Sequence, residues 1–143
     1  MARIYLAAPL FSEAEKRYNV YVRDLLVREG YDVYLPQEQR ERVAEAISDE
    51  DQEIFTRHLI TLNRSDVIVA VCDGTDTDSG TAWEMGYAHA QNIPVIALRT
   101  DVRTIGPGKR INLMLERSTR IASTLEELVD YLSQIVIAKR TSD

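Results

Sequence analysis

The chain has one cysteine, Cys72, among 143 residues, so no disulfide can form within it and the count fits a reducing compartment. Long apolar runs are missing. None approaches the roughly 20 residues that a membrane-spanning helix needs, and no membrane role is expected. A basic stripe is missing too. With 17 Lys and Arg against 23 Asp and Glu, the net charge is −6. Binding a nucleic-acid backbone needs clustered positive charge, so no nucleic-acid partner is expected. A nucleoside, which carries no phosphate, is not excluded. Two histidines and one cysteine, widely spaced, make no convincing zinc set. Neither GxGxxG nor a P-loop occurs, so dinucleotide and triphosphate binding lack support.

The sequence does contain a regular alternation of short apolar runs and amphipathic stretches. Its length suits a single domain over 1–143, and its 45% hydrophobic content suits a buried core. The opening MARIYLAAPLF is short, contains Pro9 and runs straight into charged SEAEKR. It reads as a first buried strand, over 3–8, rather than a secretion signal, and the cytoplasm is the default location. Ser12 and Glu15 form a capping box for a helix that runs to about Glu29 and stops at Gly30. A second strand is expected over 31–35, ended by Pro36. Charged residues 37–47 suggest a loop with a helical turn. Ser48 is placed to cap a helix over about 49–64, in which Ile54, Phe55, Leu59 and Leu62 keep helical spacing. Residues 66–72, DVIVAVC, are the clearest strand. A helix over about 80–91, a strand over 93–98, a short helix near 111–117 and a brief strand over 119–122 follow. Ser123 and Glu126 are read as the box that starts the last helix.

Five strand–helix units in a row predict an α/β fold: a doubly wound, five-stranded parallel sheet with helices on both faces. Ligands of such sheets bind beyond the carboxyl ends of the strands. Here those ends are residues 8–12, 36–40, 73–84 and 99–112.

The third segment carries the most chemistry. It reads DGTDTDSGTAWEMGYA and places Asp73, Asp76 and Asp78 in a loop, with Glu84 about one turn into the following helix. Two carboxylates near a helix N-terminus suit acid–base or nucleophilic work. Glycines 80 and 86 allow a close approach of backbone or substrate. The alternative is a solvated helix glutamate beside turn-forming aspartates. DTDSGT only loosely resembles the DxDGT phosphatase motif, which should follow the first strand. A phosphoacceptor receiver domain needs acidic residues there as well, where this chain has AAPLF.

Three segments in order, IYLAAPLF, DSGTAWEMGYA and INLML, give the chain a specific resemblance to the nucleoside 2-deoxyribosyltransferase family. The resemblance implies that Glu84 attacks the anomeric carbon of a 2′-deoxyribonucleoside and forms a deoxyribosyl ester, which a free nucleobase then resolves. It implies that Tyr5 orients the Glu84 carboxylate and that Asp78 contacts substrate. It also implies that Asn112 and Met114 reach the active site of a neighbouring subunit, so the enzyme self-associates. No cofactor or metal is implied, although the loop aspartates could in principle hold magnesium. His58 stands where many members carry an acidic or amide residue facing the base. It either contacts or protonates the base, or is a satisfied histidine. Gln37 and Gln39 are further candidates for base contact, with solvated loop residues as the alternative. Cys72 reads as packing, and Trp83 as core or interface rather than base stacking.

Two rival functions remain at this point. A hydrolase of deoxynucleoside 5′-monophosphates would use the same glutamate but needs a glycine-, serine- and arginine-bearing phosphate cradle after the first strand, where AAPLFSEAEKR has no glycine. A nucleotide-sensing or protein-interaction module on the same fold would not need Glu84.

Overall fold

The computed structural model describes residues 1–42 and 50–143. Five strands, β1 (Arg3–Ala7), β2 (Asp32–Tyr34), β3 (Val67–Val71), β4 (Val95–Leu98) and β5 (Arg120–Ala122), form one all-parallel sheet in the order β2-β1-β3-β4-β5. Five α-helices connect or follow them: α1 (Glu13–Arg28), α2 (Glu50–Asn63), α3 (Ser79–Ala90), α4 (Leu113–Ser118) and α5 (Leu125–Ser142). This is the doubly wound architecture expected from the alternation. The expected cap Ser48 lies outside the described residues. The charged stretch after β2 begins as a 3-10 helix, Pro36–Arg42.

Side chains in a strand alternate between the two faces of the sheet. Ile4, Leu6, Val67, Val69 and Val71 therefore face one core, with Val22 and Leu26 of α1 and Leu128 and Leu132 of α5. Tyr5, Ala7, Ile68, Ala70 and Cys72 face the other, with Leu62 of α2, Met85 and Ala88 of α3 and Leu115 of α4. This alternation puts Tyr5 under α3 rather than under α1. Among the described residues no helix is long and apolar enough to cross a membrane.

The capping box of α1 forms as expected. Ser12 Oγ accepts from the Glu15 amide at 3.1 Å, and the Glu15 carboxylate accepts from the Ser12 amide at 2.8 Å. Gly30 ends the helix with φ 92°, a left-handed conformation that a side chain would strain. The start of α5 differs by one residue from the expected Ser123–Glu126 box. Thr124 is the cap, accepting from the Glu127 amide, and Glu127 reaches back to the Ser123 amide. Both Ser123 and Thr124 carry a capping hydroxyl with a glutamate three residues on, so the sequence pattern admits either register.

Candidate active site

The helix α3 owes its start to Asp78. One oxygen, Oδ2, accepts from the Thr81 amide at 3.0 Å and from the Thr81 hydroxyl at 3.1 Å. Asp78 is thus first an N-cap, and the cap fixes the turn that presents Glu84. The other two loop aspartates are structural. Asp76 bonds the Thr77 amide within its own turn. Asp73 accepts from the Thr100 amide, the Thr100 hydroxyl and the Asp101 amide, tying the loop after β3 to the loop after β4.

The same two loops are joined by a fully buried arginine, Arg99. Its guanidinium donates to the carbonyls of Cys72 at 2.6 Å, Gly74 at 2.7 Å and Arg103 at 2.8 Å. Truncating it to methionine leaves three carbonyls without their donor. Arg99→Met is expected to lose about 2–4 kcal/mol of stability in urea denaturation. A loss below about 0.5 kcal/mol, the range of an ordinary surface substitution, would show that Arg99 is not the clamp.

Glu84 is half-buried, and the Tyr5 hydroxyl donates to its Oε2 across the sheet–helix interface. Burial pushes the Glu84 carboxyl up to about 7. The Tyr5 hydrogen bond pulls it back down, and the nearby Asp78 charge raises it further. Burial, with the Glu84 charge beside it, raises the Tyr5 hydroxyl far above its ordinary value, so Tyr5 stays a donor. A carboxylate poised at neutrality, aimed into a cleft and oriented by a locked phenol, fits a nucleophile or a general base.

These two groups line a cavity of about 540 Å³. Its walls are mostly apolar: Ala8 and Leu10 after β1, Pro36 after β2, Phe55, Leu59 and Leu62 of α2, and Trp83 of α3. Ser79, Gly80 and His58 complete the lining. The volume and the few convergent polar groups suit a small aromatic ligand bearing a polar end. Trp83 is 51% exposed, stacks on Tyr87 with centroids 5.4 Å apart and meets the edge of Phe55. It is a wall of the cavity rather than core. Cys72 is buried packing, its thiol pushed up to about 12. Gly80 lines the cavity, whereas a side chain at Gly86 would meet nothing within 4 Å.

The sequence candidates therefore divide. Tyr5, Glu84 and His58 line one cavity, and Asp78 stands at the cap beside it. Gln37 is not brought there. Its amide accepts from Asn19 at 2.9 Å and donates to the Lys16 carbonyl at 3.0 Å, anchoring the 3-10 helix to α1. Gln39 lines a separate depression with Arg3, Asp32 and Arg64. Asn112 caps α4, accepting from the Met114 amide at 2.9 Å, and Met114 is 75% exposed. Neither lines the cavity of its own chain. Tyr34 was not a sequence candidate. It pairs in register with Tyr5, stacks on that ring with centroids 5.3 Å apart, and its hydroxyl lies 2.9 Å from His58 Nδ1. The match of the two tyrosines becomes visible only with the β1–β2 register.

Residues 4–122 match the family model described as nucleoside 2-deoxyribosyltransferase. Sequence comparison with the curated proteins finds no match. Among solved structures, a conserved protein from Enterococcus faecalis V583 is 32% identical, with a TM-score of 0.77 over 94% of this chain and 98% of that one. A 2-deoxyribosyltransferase from Bacillus psychrosaccharolyticus is 25% identical, with a TM-score of 0.81 over 94% and 96%. A 2-desoxiribosyltransferase from Leishmania mexicana, 23% identical, shares the fold with a TM-score of 0.73 over 94% and 98%.

Proposed function

Because the chain belongs to the nucleoside 2-deoxyribosyltransferase family, which supports deoxyribosyl transfer or a related N-glycoside cleavage, we propose that it exchanges the nucleobase of 2′-deoxyribonucleosides. The observation that carries this reading is the Tyr5–Glu84 pair in the wall of a mostly apolar cavity of nucleoside size. The Glu84 carboxylate attacks C1′ and forms an ester. The C1′–N bond breaks, and its electron pair stays on the departing base, which takes up a proton. An incoming base then attacks C1′ and loses its proton, and the ester bond returns its electrons to Glu84. The oxocarbenium-like character of both transition states is stabilised by the adjacent carboxylate. Asp78 contacts the substrate through the carboxylate oxygen that does not cap α3, and His58 faces the base.

Transfer is favoured over hydrolysis of a 5′-monophosphate by the N-terminus of α1. A phosphate cradle belongs there, yet the capping box already engages its amides and sets Glu13 and Glu15 in the first turn. Both groups oppose an anion. The exposed Asn112 and Met114, outside their own cavity, suit contact with a neighbouring subunit, so the working enzyme is an oligomer with shared sites.

The test is a chromatographic assay with deoxyinosine and free adenine or cytosine. New deoxynucleoside is the expected product. Free hypoxanthine and deoxyribose alone would favour hydrolysis, and no reaction with nucleoside or 5′-monophosphate would favour a binding module. The pH dependence has a definite sign. The nucleophile is the ionised carboxylate, so kcat/KM should fall as pH drops through about 7. A profile flat from pH 5 to 8 would contradict the role of Glu84.

A further inference from the structure

The cavity separates two helices. Phe55 and Leu59 line it from α2, and Trp83 and Glu84 line it from α3. Of the described residues of α2, Leu62 alone is buried. Phe55 is 46% exposed and Trp83 51%, so two large aromatic side chains border the cavity with much of their surface uncovered. The indole is nevertheless held in place. It lies nearly parallel to the Tyr87 ring, 8° apart, and Phe55 crosses it at 65° with centroids 5.8 Å apart. The Tyr87 hydroxyl is itself fixed to α2, 3.0 Å from the Asn63 amide nitrogen and 3.1 Å from the Asn63 amide oxygen. An aromatic side chain braced in this way loses little freedom when a ligand covers it.

We propose that the nucleobase packs its ring face on the Trp83 indole, in the gap bordered by Phe55, and that this contact favours purines over pyrimidines. This rests on the base-exchange reading above. Trp83 and Glu84 are consecutive and line the same cavity, so a base joined to C1′ at the Glu84 carboxylate stays beside that wall. Every base has a π-face, and stacking on an aromatic side chain does not depend on the pattern of exocyclic groups. It does grow with the apolar area covered, and a purine brings two fused rings where a pyrimidine brings one. Trp83 is thereby a specificity-determining residue, acting by ring area.

The test uses the indole itself. The chain has a single tryptophan, so tryptophan emission reports this side chain alone. Excited at the red edge of the indole band, where the bases do not absorb, wild type is titrated with adenine, with cytosine and with 2-deoxyribose. Adenine should quench the emission saturably and at lower concentration than cytosine, and the sugar should leave it unchanged. In exchange assays Trp83→Ala should raise KM for adenine about tenfold, with kcat little changed and a smaller rise for cytosine. Trp83→Phe, which keeps a ring, should recover most of the loss. Emission unmoved by adenine, an equal rise in KM for both bases, or a loss confined to kcat would overturn the proposal. So would a Trp83→Ala protein of altered oligomeric size with KM unmoved, which would assign the indole to a subunit interface. Absence of any exchange by wild type would instead strike the base-exchange reading, and the titration would still decide the contact.

Discussion

Replacing Glu84 with glutamine should reduce base exchange by at least about 10³-fold and, at pH 8, should make the folded protein more stable. The two effects share a cause. Glutamine keeps the shape and can still accept from Tyr5, but it cannot form the ester. The charge it removes is one that the site holds against burial. In the folded chain the carboxyl has been raised to about 7, against about 4.5 when exposed. The folded state therefore binds the proton more tightly than the unfolded state. The associated stability is fully present below about pH 4.5 and is lost as pH rises through 7. At pH 8 the ionised group costs the fold up to about 3 kcal/mol. Glu84→Gln should recover about 1–3 kcal/mol of it in denaturant melts, with a smaller gain at pH 5. A variant that loses activity and is destabilised at pH 8 would show that the glutamate is chiefly structural.

Tyr5→Phe is the second large effect expected. Tyr5 is fully buried, and its hydroxyl bonds the Glu84 carboxylate. Hydrogen bonds to charged groups contribute about 1.5–3 kcal/mol, so exchange at neutral pH should fall roughly 10- to 100-fold. The diagnostic is the direction of the pH profile. That hydrogen bond lowers the Glu84 carboxyl, so its loss should move the acid limb to higher pH. Part of the rate should then return above pH 8. An acid limb that stays in place would mean that the two groups are not coupled in the working enzyme.

Much of this site was legible because strand periodicity is strict. VIVAVC, residues 67–72, is apolar at every position, as a strand covered on both faces must be, and alternation in RIYLA sends Tyr5 to the α3 side. Asp78 and Glu84 were legible as a pair because a capping aspartate and a residue six positions on belong to one rigid turn and helix. Gln37 and Gln39 were harder. Both follow β2, at the ligand-binding edge, but the 3-10 helix turns their amides elsewhere, and no local pattern announces that turn. Arg99 and Tyr34 were hidden for another reason. Their roles depend on partners 25 and 24 residues away, at Gly74 and His58, and such pairings exist only after the sheet has formed.

The covalent role of Glu84 is the central claim, and intact-protein mass spectrometry tests it most directly. Wild type mixed with excess deoxyinosine and quenched in acid should gain the mass of one deoxyribosyl unit, on the peptide that carries Glu84. Adding free adenine before the quench should remove it, and Glu84→Gln should never show it. Exchange that proceeds without any such adduct, or an adduct on another residue, would contradict the account.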